Sequence, residues 1–243
     1  KIEGVCTHFA EADDPESHYL EEQLKEFDIA FNIISKHPLG RSREMDVHIS
    51  NSAALLDVRF HNLLRKCNSS YVRTGAALYG FYPQVASRHT EHTLGEVVSE
   101  SRRSWIKDLE IHSSMSEPLA EVMTFQAKVT HIAVVEKGTM VGYSRAWAAP
   151  ERCIIATLGV GYADGYPRAG SNKAQVVLGG LYYPVAGHVC MEMTMINLGS
   201  PMGPGQEVQL GDEAVLFGPG GITAGELASQ CNTIFVEILA GVK

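Results

Sequence analysis

Several stretches of this chain concentrate residue types that can do chemistry. Gly161-Tyr162-Ala163-Asp164-Gly165-Tyr166-Pro167-Arg168 sets two tyrosines, an aspartate and an arginine in one glycine-punctuated turn, more than a connection requires. Gly187-His188-Val189-Cys190-Met191-Glu192 closes a strand pattern with ionisable and polarisable groups. Val141-Gly142-Tyr143-Ser144 puts a tyrosine beside a glycine within a strand pattern, where glycine often marks a close backbone approach. A tyrosine can transfer protons once neighbouring donors or cations bring its pKa down from about 10. On composition alone, Tyr143 and Tyr166 read instead as aromatic strand residues packed in a core. Earlier in the chain, Arg73-Thr74-Gly75-Ala76 follows a strand pattern with a glycine that admits a ligand to the backbone, and Asn51-Ser52 opens a helix with a capping hydroxyl. Backbone N–H groups at such turns, with a serine hydroxyl, are the donors a phosphate needs.

Positioning these residues falls to two kinds of architecture. In the first half, Gly4 to Phe9 is a short β-branched run, and Asp14-Pro15 offers an N-cap and a first-turn proline. Leu20, Leu24, Phe27, Phe31 and Ile34 then recur on one helical face, until His37-Pro38-Leu39-Gly40 ends the pattern. Asp46 to Ser50 reads as a strand, Ser52 to Leu56 as a short helix and Ser70 to Arg73 as a further strand. This alternation implies parallel strands with crossover helices, whose carboxyl ends form the ligand face. His8, Asn51, Ser52 and Arg73 all fall at those ends. Each alone is more simply a satisfied structural residue; their common position makes a site. Gln84 to Pro118 is polar, with few apolar residues outside Trp105 to Ile111, and reads as an insertion before a domain boundary near Pro118. Beyond it, Thr124–Val135, Met140–Trp147, Cys153–Val160, Ala174–Leu178, Tyr182–Cys190, Thr194–Leu198 and Ala214–Phe217 read as short strands of a small barrel or sandwich. One helix, Ala224 to Gln230, opens on a Thr223-to-Glu226 capping box.

Composition narrows the classes. Among 243 residues, 20 Lys+Arg against 28 Asp+Glu give a net charge of −8, so the chain has no surplus of cations for nucleic-acid phosphates. The longest apolar run, Cys153 to Ala163, is interrupted by Thr157, Gly159 and Gly161 and is too short to span a membrane. The five scattered cysteines form no C-x-x-C, which argues against a disulfide framework or a structural zinc and suits a reducing, cytoplasmic setting. No metal site is expected. The chain starts Lys1-Ile2-Glu3-Gly4 without Met and reads as cut from something longer.

Thr7-His8-Phe9, His48-Ile49-Ser50-Asn51-Ser52-Ala53-Ala54, Val72 to Gly80 (VRTGAALYG), Val141-Gly142-Tyr143, Leu158 to Arg168 (LGVGYADGYPR) and Gly187-His188-Val189-Cys190-Met191 occur in the order, and mostly at the spacing, of the alanine racemases. The resemblance implies an α/β fold: a partial (β/α)8 barrel over residues 1–117, with the polar insertion at about 84–117, followed by an all-β domain over 118–243. It further implies a pyridoxal 5′-phosphate enzyme that interconverts L- and D-alanine, a small-molecule substrate, and a homodimer whose active sites are shared between protomers. By similarity Tyr143 is the catalytic tyrosine, His8 and Arg73 belong to the network that tunes it, and Arg73 faces the pyridine nitrogen. Ser52, Gly75 and Ala76 hold the phosphate, with Asn51 beside them. Met191 offers its backbone N–H to the substrate carboxylate, and Tyr162, Arg168 and Asp13 line the path to the site.

Departures from the family pattern bear on this reading. Glu192 stands where the family usually has Asp, and His188 where an Arg is common; both fall near the substrate mouth and leave a serine or broad-specificity racemase open. The family's early Lys-Ala-Asn-type motif, whose lysine carries the cofactor and acts as the second base, has no match here. The first half supplies only three or four parallel strands, too few for an eight-stranded barrel of about 250 residues. The expectation is therefore the back part of a racemase, inactive by itself, and a cofactor-less binding or dimerisation module is the alternative.

Overall fold

The computed structural model describes residues 2–14, 17–38, 45–57, 60, 64, 67, 69–82 and 119–243. The polar stretch 84–117, with Trp105 to Ile111 inside it, lies outside the described residues, as do Pro15 and Gly40. The chain divides into two compact units, residues 1–120 and 121–243.

In the first unit, β1 (Gly4–Cys6) pairs in parallel with β2 (Asp46–His48), with Val5 opposite Val47. Between them runs α1 (Tyr19–Lys36). Its face Leu20, Leu24 and Phe27 is buried against Phe9, Ala12, Val47, Ile49, Ala53 and Leu64, with Phe31 packed partly against the same cluster. Each such burial contributes about 1.5–3 kcal/mol over exposure. The helix starts later than Asp14 predicts. The Asp14 carbonyl accepts the Ser17 N–H in a turn, and it is Ser17 Oγ that accepts the Tyr19 N–H at 3.2 Å. The short helix α2 (Ser52–Leu56) has the expected bounds, and Asn51 Oδ1 caps it by accepting the Ala54 N–H at 3.0 Å. The strand expected over Ser70–Arg73 is reduced to one parallel bridge between Val72 and Ser50, flanked by the Ser70 N–H donating to Val47 O and the Arg73 N–H donating to Ser50 O. A 3-10 turn, Ala76–Tyr79, follows.

The second unit is a closed antiparallel barrel. Its strands are β3 (Phe125–Val135), β6 (Cys153–Leu158), β7 (Gln175–Leu178), β8 (Leu181–Pro184), β9 (Thr194–Gly199) and β10 (Glu213–Phe217), in the order β8-β7-β10-β3-β6-β9. A bridge between Val185 and Ile196, with Ala186 N–H donating to Met195 O, joins the two edges and leaves neither open. Val129, Leu158, Val176, Ile196 and Leu216 are fully buried inside. Two strand expectations need correction. Met140–Trp147 is a tight antiparallel hairpin, β4 (Met140–Val141) and β5 (Trp147–Ala148), with Tyr143–Arg145 as a 3-10 turn at its tip. A short strand-like run cannot by itself distinguish one strand from two folded back on each other. The run Tyr182–Cys190 pairs only as far as Ala186; the Gly187 backbone, at φ 90°, then leaves the ladder. After the barrel come α3 (Ala224–Cys231), which carries the capping box, and α4 (Phe235–Gly241), which the sequence reading lacked.

Candidate functional site

Each unit brings together its own group of the predicted residues. In the first, the turns after β1 and β2 and the residues after Val72 meet at Arg73. Its Nη1 donates to the His48 carbonyl at 2.6 Å and lies 2.6 Å from His48 Nδ1; its Nη2 donates to the Thr7 carbonyl at 2.7 Å and lies 3.3 Å from His8 Nδ1. A guanidinium only donates, so both imidazoles present a lone pair at Nδ1. These four bonds use all four Nη hydrogens and leave Nε–H as the remaining donor. His8 is thus joined to Arg73. His48 belongs to the same network, although its place inside a strand gave no signal of it.

Beside Arg73, Ser52 Oγ accepts the Gly75 N–H at 3.0 Å and the Ala77 N–H at 3.3 Å, so the hydroxyl proton remains to be donated. The Ala76 N–H donates to no described residue, and the space where a Gly75 Cβ would stand is open to 4 Å. This donor set fits a phosphate. Asn51 is bound on both sides: its Oδ1 caps α2 and its Nδ2 donates to the Phe9 carbonyl at 3.1 Å. It braces the loop after β1 against β2. Gln23 of α1 does the same from the far side, accepting from Ala10 N–H and donating to the His8 carbonyl, both at 2.9 Å. Asp13 lies half-buried in this loop.

In the second unit, Tyr143 is 73% exposed and its phenol bonds to no described residue. Its turn is strained, with Gly142 at φ 76°, Ser144 at φ 58° and Arg145 at φ 52°. Against this turn lies the Gly187 to Glu192 loop: a Cβ on Gly142 would stand 3.4 Å from His188 N, and one on Gly187 would stand 3.0 Å from Val141 O. Met191 is 58% exposed, and its N–H donates to no described residue. The Gly161 turn docks on the same loop, with Tyr162 N–H donating to Cys190 O and Ala163 N–H to Met191 O. Tyr143, Tyr162, Met191, Glu192 and Arg168 therefore stand on adjoining loops. Tyr166 does not join them. It is fully buried, and burial foremost pushes its phenol well above the usual tyrosine range. Burial likewise drives the Cys231 thiol up to about 11, so neither group is a ready proton donor or nucleophile.

Gly161 tolerates no side chain. A Cβ there would lie 2.5 Å from the Met191 carbonyl carbon and closer still to the Cys190 and Met191 carbonyl oxygens. Gly161→Ala is expected to destabilise this unit by about 3 kcal/mol through overpacking against rigid backbone. Thermal denaturation checks it; an unchanged melting temperature would show that the two loops can separate freely.

No helix among the described residues is long and apolar enough to cross a membrane, and no cluster of three or more His, Cys, Asp or Glu among them could hold a metal. A parallel strand–helix unit with a donor cradle at its strand ends, followed by a closed β barrel that displays a tyrosine turn, defines a two-domain α/β class. The family described as "Alanine racemase, N-terminal domain" matches residues 1–83, and "Alanine racemase, C-terminal domain" matches residues 122–243. The alanine racemase of Chlorobaculum tepidum is 34% identical over 242 residues, covering 100% of this chain and 53% of its own length. The crystal structure of alanine racemase from Bacillus anthracis with bound L-Ala-P superposes with a TM-score of 0.72 at 29% identity, covering 99% of this chain and 53% of that one. The alanine racemase from Bartonella henselae with covalently bound pyridoxal phosphate gives a TM-score of 0.68 at 25% identity, covering 100% and 55%. The chain belongs to the alanine racemase family and has its fold, part of the α/β barrel followed by the β domain. It spans about half the length of these relatives.

Proposed function

We propose that this chain is the later portion of a pyridoxal 5′-phosphate-dependent alanine racemase that supplies D-alanine, with residues 1–117 contributing to the cofactor barrel and 118–243 forming the β domain. The observation that carries the proposal is Arg73: its Nη hydrogens are committed to His48, Thr7 and His8, and its Nε–H donates to no described residue, two positions before the glycine of the Ser52–Gly75–Ala76 cradle. Ser52 Oγ–H and the Ala76 N–H would bind the phosphate, Gly75 would give it room with its own N–H on Ser52 Oγ, and Asn51 holds the loop that frames it. When bound, the cofactor stabilises negative charge at the substrate Cα. Arg73 would face the pyridine nitrogen and, since a guanidinium keeps its proton, would leave that nitrogen largely unprotonated and moderate the charge withdrawal.

Tyr143 Oη takes or returns the α-proton on one face of the substrate, with His8 and Arg73 orienting it across a shared site in a head-to-tail homodimer. Met191 N–H holds the substrate carboxylate. Tyr162, Arg168 and Asp13 line the path in, and Glu192 stands beside Met191 where it can act on substrate choice. The lysine that carries the cofactor and serves the opposite face belongs, in this proposal, to the part of the family's length that the chain does not span. Five free, scattered cysteines support a cytoplasmic setting.

The full-length protein, loaded with cofactor, is expected to racemise alanine in both directions and to turn over serine more slowly. Polarimetry on each enantiomer of both amino acids checks this. Faster turnover of serine would favour the broader-specificity reading that Glu192 and His188 suggest, and no α-proton exchange with either amino acid would overturn the proposal.

A further inference from the structure

The segment Gly170-Ser171-Asn172 reads in sequence as an ordinary turn, yet it touches every loop that carries a proposed site residue of the β barrel unit. Asn172, in the left-handed region at φ 57°, donates from Nδ2 to the Ala146 carbonyl at 2.9 Å and accepts the Gly187 N–H on Oδ1 at 2.6 Å. Its neighbour Ser171 donates from Oγ to the Arg168 carbonyl at 2.6 Å and accepts the Val189 N–H at 3.0 Å. Two consecutive side chains thus make four bonds to three loops: the end of the Tyr143 turn, the Arg168 turn and the loop leading to Met191.

We infer that Ser171 and Asn172 are positioning residues, a strut that sets the Tyr143 turn against the Met191 loop so that the proton-transfer phenol and the carboxylate-binding N–H keep a fixed separation. The physical case rests on the turn itself. Gly142, Ser144 and Arg145 all hold positive φ, and the non-glycine pair would relax to negative φ if nothing opposed it. The Tyr143 ring is exposed and holds nothing in place. The nearest anchor is the β4–β5 pairing, backed by Val141 and Trp147 packed on Ala149, Cys153, Ile155 and Ala186. That anchor ends at Val141 and Trp147. Between those residues, among the described residues, the bond to Ala146 is the hydrogen bond that ties the turn toward the Met191 side, beside the close approach of Gly142 to Met195, His188 and Gly187. A donor and an acceptor on one short, rigid amide couple the two loops more tightly than two separate side chains would, because moving one loop pulls on the other. The backbone at Asn172 is left-handed, a conformation that asparagine adopts more readily than most residues with a side chain.

The inference rests on the proposed role of Tyr143, and its test separates the two. In the full-length cofactor-loaded protein, Asn172→Gly keeps the left-handed backbone and removes both bonds. It is expected to lower kcat/KM for alanine by about ten- to hundredfold, as a misplacement near 1 Å does. The primary deuterium isotope effect should rise for the α-deuterated enantiomer whose proton Tyr143 takes, with that for the other enantiomer unchanged. A partly unfolded variant would lose rate with both isotope effects unaltered. Asn172→Asp keeps the acceptor for Gly187 and loses the donor to Ala146; it should preserve amide-exchange protection at Gly187 while showing the same one-sided rise. In Asn172→Gly, Gly187 should exchange about tenfold faster. Wild-type kcat/KM and isotope effects in Asn172→Gly would overturn the strut. If the wild-type protein fails to racemise alanine, the proposed function falls, and unchanged Gly187 exchange in Asn172→Gly would then overturn the strut by itself.

Discussion

Tyr143→Phe in the full-length protein is expected to lower racemisation by roughly 10²- to 10⁴-fold, the range for removing a positioned general acid–base group, while leaving the fold and cofactor affinity intact. The fold is spared because the phenol makes no bond within the described residues and the ring is 73% exposed, so the substitution removes neither a buried contact nor a satisfied polar group. Cofactor affinity is spared because the residues proposed to hold it, Ser52, Arg73, Gly75 and Ala76, belong to the other unit. The diagnostic measurement is α-proton exchange in deuterated water. The variant should still exchange the α-proton on the face served by the second base and should lose exchange on the Tyr143 face. A racemisation rate equal to wild type would remove Tyr143 from the chemistry and reduce its turn to a surface feature. Equal loss of exchange on both faces would point to a damaged site and not to a missing base.

The residues that carry this prediction were legible in the sequence to different depths. Asn51-Ser52 announced a helix start, and α2 forms there with Asn51 as its cap, because capping is decided within a few residues of chain. The α1 face was legible for the same local reason: Leu20, Leu24 and Phe27 repeat at the helical period and are buried. What local pattern could not carry was pairing. Met140 to Trp147 reads as one short strand-like run, but the chain reverses at Gly142, where positive φ puts Tyr143 at a tip and not in a ladder. His48 looked like one more strand residue, since its partner Arg73 is 25 positions away. Ser171 and Asn172 looked like turn filler, since the carbonyls and amides they bind lie on loops 15 to 26 positions distant for the Asn172 bonds. Periodicity was enough for a parallel strand–helix half followed by a β half, while the partial (β/α)8 barrel came from the resemblance; the networks that fix the site needed the third dimension. Helix α4 went unread because seven residues give too few turns for a period to show.

Arg73→Leu is expected to have the largest structural consequence in the first unit. Four bonds converge on that guanidinium, and they tie the ends of β1 and β2 to the chain after Val72, where the backbone contributes a short bridge and the Ser70-to-Val47 and Arg73-to-Ser50 hydrogen bonds. Hydrogen bonds from a charged donor are each worth about 1.5–3 kcal/mol. Half-burial leaves water able to replace some of them, so the net loss should be near 3 kcal/mol and not the full sum. Leucine fills similar volume, so any loss reads as lost bonding and not as a cavity. Arg73→Lys should recover only part of it, because an ammonium cannot fork to two carbonyls and two imidazoles on opposite sides. Hydrogen exchange at Val5 and Val47 measures the effect directly. Faster exchange in both variants, greater for leucine, is the expected order. Protection equal to wild type in Arg73→Leu would mean that the parallel pair and the α1 face hold these strand ends without help, and that Arg73 is retained for its Nε–H alone.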